Sequence, residues 1–173
     1  MPISLYDAFV PSCRQIVGST LALIEKAEKH CTETGCAPAE IAGASLHPTM
    51  LPLGFQVKSV AQHSAGAIEG VRAGTFSPLG GEMPTDFAGM KAMLEKAEAG
   101  LAAVTADEME TFIGKDMLFE MPGLKLPFTA EGFLLSFSQP NFYFHAATAY
   151  DILRAKGVAL GKRDFLGALR MKM

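Results

Sequence analysis

Apolar residues spaced three and four positions apart recur in four long stretches of the sequence, and this spacing constrains the fold more than any other feature. In the first stretch, residues 4 to 30, one stripe contains Phe9, Cys13, Ile16, Thr20, Leu23 and Ala27. Steps of three and four residues place side chains on one face of an α-helix. We therefore expect residues 4 to 30 to form an amphipathic helix that buries this stripe.

The second and third stretches show the same period. The second begins near Thr49 and ends near Gly74, and its inner face contains Leu53, Val57, Val60, Ser64, Ala67 and Val71. The third covers residues 86 to 104, with a stripe of Phe87, Met90, Leu94, Ala97, Leu101 and Val104. Asp86 or Thr85 precedes it and can act as its N-cap. Both stretches are predicted to be helices that contribute one face to the core.

The ends of the last long helix, and the segment before it, are predicted from different signals. Residues 115 to 137, KDMLFEMPGLKLPFTAEGFLLSF, place Pro122-Gly123 between two apolar runs, which predicts a hairpin or an extended lid. Ser138 and Pro140 then open the last helix. Gly157 ends it, because glycine is typical of the position after a helix.

These elements together predict the fold class. Residues 75 to 86, TFSPLGGEMPTD, are predicted to be a loop. Strands and helices do not alternate, so we expect an all-α protein, an up-down four-helix bundle with a hairpin or lid excursion before the last long helix. No linker divides residues 1 to 173, which is a length that a single domain can fill.

Charge and cysteine usage exclude several classes of protein. The net charge is −3 and the basic residues are scattered, which argues against a nucleic-acid partner. No run of about 18 apolar residues is present to span a membrane, and the N-terminus has no secretory pattern. The odd number of cysteines, Cys13, Cys31 and Cys36, without a CxxC pair, fits reduced thiols. We therefore expect a cytoplasmic protein without a membrane or nucleic-acid partner.

Short catalytic motifs do not specify a reaction. The sequence contains no GxSxG, HExxH or GxGxxG pattern, and Gly161-Lys162 lacks the remainder of a phosphate-binding loop.

Two segments do resemble a known family. The stretch NFYFHAATAYDILRAKGVALGKRDFLG, residues 141 to 167, resembles the C-terminal motif of an uncharacterised bacterial family of DinB-like proteins. HPTMLPLGFQVKSVAQHSAGAIEG, residues 47 to 70, resembles the second helix of that family and the segment leading into it. The resemblance covers essentially the whole chain. It implies a four-helix bundle that is often a homodimer, and in many members of the superfamily a divalent metal held by three histidines.

The resemblance can be carried over residue by residue. In the superfamily one histidine comes from the second helix, and two come from the last helix as H-x-x-x-H. His63 matches the first of these and His145 the second, but Ala149 stands where the third would be. The resemblance thus implies at most two of the three ligands for an ion such as Zn²⁺ or Ni²⁺. Helical geometry points His145 inward and places His63 at an edge, where it faces either the neighbouring helix or solvent.

Three interpretations of His145 follow from the residues alone. It is a metal ligand, a catalytic residue without a metal, or a buried histidine that hydrogen-bonds to Ser64, Tyr150 or a water. Ser64, Phe142, Tyr143 and Tyr150 are the candidate lining of a pocket around it.

Two functional hypotheses follow. The resemblance implies a degraded or atypical metal-dependent enzyme that acts on a small molecule, of the thiol-dependent transferase type. Residues 115 to 137 would then cover a pocket around His63 and His145. The alternative is a non-catalytic small-molecule-binding or dimerisation module, with the aromatic cluster Phe142, Tyr143 and Phe144 serving an interface. A divalent metal is the one cofactor that the resemblance implies, and the residues alone establish none.

Overall fold

A computed structural model describes residues 3–172 of the chain. The α-helices are α1 (Leu5–Thr34), α2 (Pro38–Ala42), α3 (Leu53–Gln62), α4 (Ala65–Ala73), α5 (Phe87–Ala102), α6 (Ala106–Glu110), α7 (Ala130–Gly132), α8 (Gln139–Ala155) and α9 (Lys162–Leu166). The strands are β1 (Thr75–Phe76), β2 (Asp116–Met121) and β3 (Leu124–Thr129), and a π-helix covers Phe133–Ser138.

Four long helical segments form the predicted bundle. α1 packs against α5 and α8, and α3 packs against the same two helices. All the residues predicted for the inner stripes of the first three helices are buried. The period of the apolar residues therefore identified the core faces correctly, because burial of one face is what stabilises a helix in a bundle.

The second bundle helix differs from its prediction as one continuous helix starting near Thr49. It begins at Leu53 and consists of α3 and α4, separated by His63 and Ser64. Ser64 has φ −113° and ψ −94°, outside the helical region. Its Oγ donates hydrogen bonds to the carbonyl oxygens of Val60 (2.7 Å) and Ala61 (3.3 Å). A serine that bonds back to the preceding turn commonly bends a helix, and this bend lies directly beside His63.

A small sheet makes the all-α expectation only approximately right. β2 and β3 form the predicted antiparallel hairpin, and Gly123 in its turn has φ 80°. β1 lies in the segment that was predicted to be a loop, and it pairs in parallel with β2, Phe76 opposite Phe119. A strand of two residues is too short to show a sequence period, and its hydrogen bonds come from a distant strand. The chain is thus mostly helical with a three-stranded sheet.

The start of the last long helix also differs from prediction. Ser138 makes no capping hydrogen bond, and it is the last residue of the π-helix that leads directly into α8. The end of the helix agrees with prediction, since Gly157 follows the last turn with φ 85°. α9 packs on α1. Within residues 3–172, no helix is both long and apolar enough to cross a membrane.

Candidate functional site

His63 and His145 meet between the second and last bundle helices. Their ring centroids are 6.0 Å apart and the ring planes differ by 8°. His63 follows the last residue of α3 and is only 5% exposed, whereas His145 lies in α8 and is half-buried. The packing of α3 on α8 thus turns His63 toward the neighbouring helix, which is one of the two orientations that the sequence allowed.

Gln56 fixes the hydrogen position on His145. Nδ1 of His145 is 2.7 Å from Oε1 of Gln56, and Nε2 of Gln56 donates to the carbonyl oxygen of Leu51 at 2.8 Å. Because the amide nitrogen is the donor to a carbonyl, the amide oxygen must accept from the imidazole. Nδ1 of His145 therefore carries the hydrogen, and Nε2 keeps its lone pair. A lone pair on Nε2 can accept a hydrogen bond or bind a metal.

Ser138 is the partner of His63. Its Oγ is 3.3 Å from Nδ1 of His63, and Ser138 is fully buried. The π-helix that ends at Ser138 is an irregular turn of a kind often found at functional sites. His63 thus lies at the break before α4 and faces the end of the π-helix. His145 lies in α8, the helix that directly follows the π-helix.

Phenylalanine rings surround the pair. The His63 ring lies 5.5 Å from Phe76 and 5.9 Å from Phe137, and the His145 ring lies 5.8 Å from Phe55 and 5.2 Å from Phe144. Phe76 and Phe137 belong to a larger cluster, the phenylalanine layer, made of Phe76, Phe119, Phe128, Phe133 and Phe137. The sheet and the π-helix therefore cover His63. Phe144 is 59% exposed, so solvent reaches the pair from the His145 side.

Burial keeps both imidazoles neutral. Loss of hydration lowers the pKa of His145 to about 4. The pKa of His63 is also lowered to about 4, chiefly by burial and further by the neighbouring His145. At pH 7 neither ring is an imidazolium that could act as a general acid, and a base with so low a pKa is a weak proton acceptor. The pair is therefore suited to accepting hydrogen bonds or to ligation rather than to proton transfer.

The donor set for a metal ion is incomplete. Among residues 3–172, no group of three or more His, Cys, Asp or Glu side chains is placed to hold an ion. Ala149, at the position of the third superfamily histidine, is 1% exposed and apolar. The carboxylates on the same two bundle helices do not supply the third ligand, because Glu69 pairs with Arg72 and Asp151 is exposed. Catalytic zinc usually has three protein ligands, so two imidazoles do not complete such a centre.

Within residues 3–172, none of the four residues predicted to line a pocket makes a hydrogen bond or a ring contact with His145. Ser64 bonds to its own helix, as described above, and the hydrogen-bond partner of His145 is Gln56 rather than Ser64 or Tyr150. Phe142 is fully buried in the core and packs against Tyr143, whose ring centroid is 5.4 Å away. Tyr150 packs against Phe165 and accepts a hydrogen bond from Arg154 at 3.2 Å.

Gln56 and Ser138 contact the histidine pair but were not predicted to belong to the site. Gln56 lies seven positions before His63, so both occupy the same face of a helix, and this spacing is a signal that the sequence offered. Ser138 carried the pattern of a helix cap, and nothing local indicates that its hydroxyl turns inward.

Comparison with known proteins identifies the family of this chain. A family model described as "Domain of unknown function (DUF1993)" matches residues 5–166. The chain belongs to this family. No curated protein matches the sequence.

A solved structure has the same fold as this DUF1993 protein. The crystal structure of a DinB family member protein from Shewanella denitrificans, at 1.83 Å resolution, superposes with a TM-score of 0.81. The match covers 98% of this chain and 95% of that chain, at 23% sequence identity. At this identity the likeness shows the fold alone.

Proposed function

We propose that this DinB-like protein binds a small, mainly apolar molecule that carries a hydrogen-bond donor, and that the His63–His145 pair accepts from that donor. The observation that carries the proposal is the bond from Nδ1 of His145 to Gln56, which leaves Nε2 of this half-buried residue with a lone pair. The imidazole is neutral, so it offers this lone pair without competing protonation at pH 7.

The surroundings of the pair fit such a ligand. Binding sites for small molecules are mainly apolar, with a few polar groups that fix orientation. Phe55 and Phe144 supply apolar surface beside His145, and Phe76 and Phe137 do so beside His63. The polar groups are two imidazoles, each held by a hydrogen bond, so their orientation is set before a ligand arrives.

Phenol and toluene form a matched pair of probes, because they have nearly the same shape and only phenol has a donor. We expect phenol, titrated into ¹⁵N-labelled protein, to shift the Nε2 resonance of His145 and to bind more tightly than toluene. The His145→Phe variant keeps an aromatic ring but removes the acceptor, so it should bind both probes equally. Equal binding of phenol and toluene by the unaltered protein would refute the proposal.

A metal-dependent enzyme of the thiol-dependent transferase type is the second candidate. One observation favours it: histidines that bind metals usually donate their other ring N–H to a carbonyl or carboxylate oxygen, as His145 does to Gln56. A bound Zn²⁺ or Ni²⁺ would favour a thiolate over a thiol. The missing third ligand at Ala149 counts against this candidate.

Elemental analysis after loading with Zn²⁺ or Ni²⁺ and desalting separates the two candidates. The binding proposal predicts no stoichiometric metal in the unaltered protein. Stoichiometric metal that disappears in both His63→Ala and His145→Ala would support the enzyme instead. Ala149→His supplies the third ligand of the superfamily pattern, and a gain of tight metal binding would show that the remaining two imidazoles are still aligned.

A homodimer is a further part of the proposal. The side chain of Phe144 is 59% exposed and that of Tyr143 is 37% exposed on the same helix, which supports an aromatic contact with a second copy. Light scattering should give twice the mass of the chain, and Phe144→Ser should lower it. A monomeric mass for the unaltered protein would contradict the dimer.

A further inference from the structure

Cys31 and Cys36 meet where α1 ends. The Sγ atom of Cys36 lies 2.8 Å from that of Cys31, to which it donates a weak hydrogen bond. Gly35 between them has φ 74°, and its N–H donates to the carbonyl oxygen of Cys31 at 2.9 Å. In a helix end of this kind, the residue after the glycine turns back onto the last turn of the helix. The sequence CTETGC therefore brings its two sulfur atoms together through ordinary helix-capping geometry.

The two sulfur atoms differ in access. Cys31 is 5% exposed, whereas Cys36 is half-buried. A cavity of about 350 Å³ opens at both residues, and its walls include Glu28, Thr32 and Phe87. A small thiol reagent thus has a route to Cys36, and Cys31 lies directly behind it. Burial, with a smaller contribution from the bond to Cys36, raises the pKa of Cys31 to about 11, which keeps Cys31 protonated at neutral pH.

We propose that Cys31 and Cys36 form a thiol-modification site, at which a low-molecular-weight disulfide converts the two thiols into an intramolecular disulfide. The site lies at the junction of α1 and α2, and it does not depend on the function proposed for the histidine pair. The exchange starts from the two reduced thiols, which is the state that the sequence predicts.

The exchange has two steps. The thiolate of Cys36 attacks one sulfur of the disulfide RSSR, which forms a mixed disulfide at Cys36 and releases one RS⁻. Cys31 then loses its proton, attacks the sulfur of Cys36 and displaces the second RS⁻. In sum, two protein thiols and one RSSR give one protein disulfide and two RSH. The pair is oxidised by two electrons, and RSSR is reduced by two.

The test measures this equilibrium with glutathione disulfide and glutathione as the probe. Intact mass after quenching with a thiol alkylator counts the remaining thiols. The unaltered protein should lose two thiols and retain one, that of Cys13, which is fully buried in the stripe of α1. Cys13→Ser should behave in the same way, apart from its missing third thiol.

A short loop closes a disulfide even in an unfolded chain, so the native geometry needs its own control. The equilibrium constant for closing the disulfide is therefore compared in buffer and in urea. Because the two sulfur atoms are already in contact in the folded protein, we expect the equilibrium constant in buffer to exceed that in urea by about tenfold. Gly35→Ala strains the left-handed turn, and it should reduce this native advantage without changing the value in urea.

Single variants identify the order of attack. Cys31→Ser should stop at a mixed disulfide with glutathione on Cys36, because the second nucleophile is gone. Cys36→Ser should react more slowly than Cys31→Ser, since only the less exposed sulfur remains. The proposal fails if the unaltered protein keeps three thiols, stops at the mixed disulfide, or closes the disulfide no better in buffer than in urea.

Discussion

α1 and α5 differ from α3, α4 and α8 in their regularity. α1 runs unbroken from Leu5 to Thr34, and α5 runs from Phe87 to Ala102, started by the capping side chain of Asp86. On the other side of the bundle, α3 breaks at His63–Ser64 before α4 begins, and a π-helix precedes α8. Helices on both sides contribute buried apolar faces, but only the irregular side also holds the two histidines.

The two sides differ in how they orient their side chains. A regular helix places side chains at fixed intervals, which suits a packed stripe. The break after α3 and the π-helix each change the direction of a few side chains, and these include His63 and Ser138. Irregular turns of this kind persist when neighbouring packing holds them, and they are common at functional sites.

The largest expected effect is on the regular side. Phe9 of α1 is fully buried, so Phe9→Ala should lower the free energy of unfolding by about 3–5 kcal/mol. Leu135→Ala, in the π-helix but 38% exposed, should lower it by about 1 kcal/mol or less. Urea unfolding measures both. A cost for Leu135→Ala close to that for Phe9→Ala would mean that burial does not set these costs.

The pH dependence should come from the irregular side. The folded-state pKa of His63 is about 4 against an ordinary value of 6.5, so the unfolded chain binds more protons between these limits. Stability is then complete above about pH 6.5 and falls as the pH drops toward 4, by up to about 3 kcal/mol for one such histidine.

His63→Asn tests the origin of this decline, since asparagine does not titrate. The variant should be less stable at pH 7 and should lose less stability on acidification than the unaltered protein. An equally steep decline in His63→Asn would assign the pH dependence to other groups.

A smaller effect is expected for Ser138→Ala. The change leaves Nδ1 of the buried His63 without its partner, which should cost about 1–3 kcal/mol in unfolding free energy. Ser136→Ala, in the same π-helix but exposed, is the matched control and should cost less. Equal costs for the two variants would mean that the bond between Ser138 and His63 contributes little.

The sequence predicted the regular side better than the irregular one, for a physical reason. The stripe of α1, the cap of α5 and the hairpin turn at Pro122-Gly123 are local signals, and all of them are confirmed. The break at Ser64 and the π-helix hardly disturb an apolar period, so they remained hidden. β1 depends on a distant partner strand.

The histidine pair shows the same division. The inward direction of His145 followed from the helical period, but the place of His63 depended on how α3 packs on α8. The bond between Gln56 and His145 joins residues 89 positions apart, which no local pattern reveals. The role of the pair in binding a ligand or a metal stays a prediction.

The most direct test of the central claim is an NMR titration of the ring nitrogens of His63 and His145. We predict that His145 carries its hydrogen on Nδ1 at pH 7, that its Nε2 is unprotonated, and that both rings titrate near pH 4. A hydrogen on Nε2 of His145 at pH 7, or titration of both rings near pH 6.5, would contradict the account of a neutral, oriented acceptor pair.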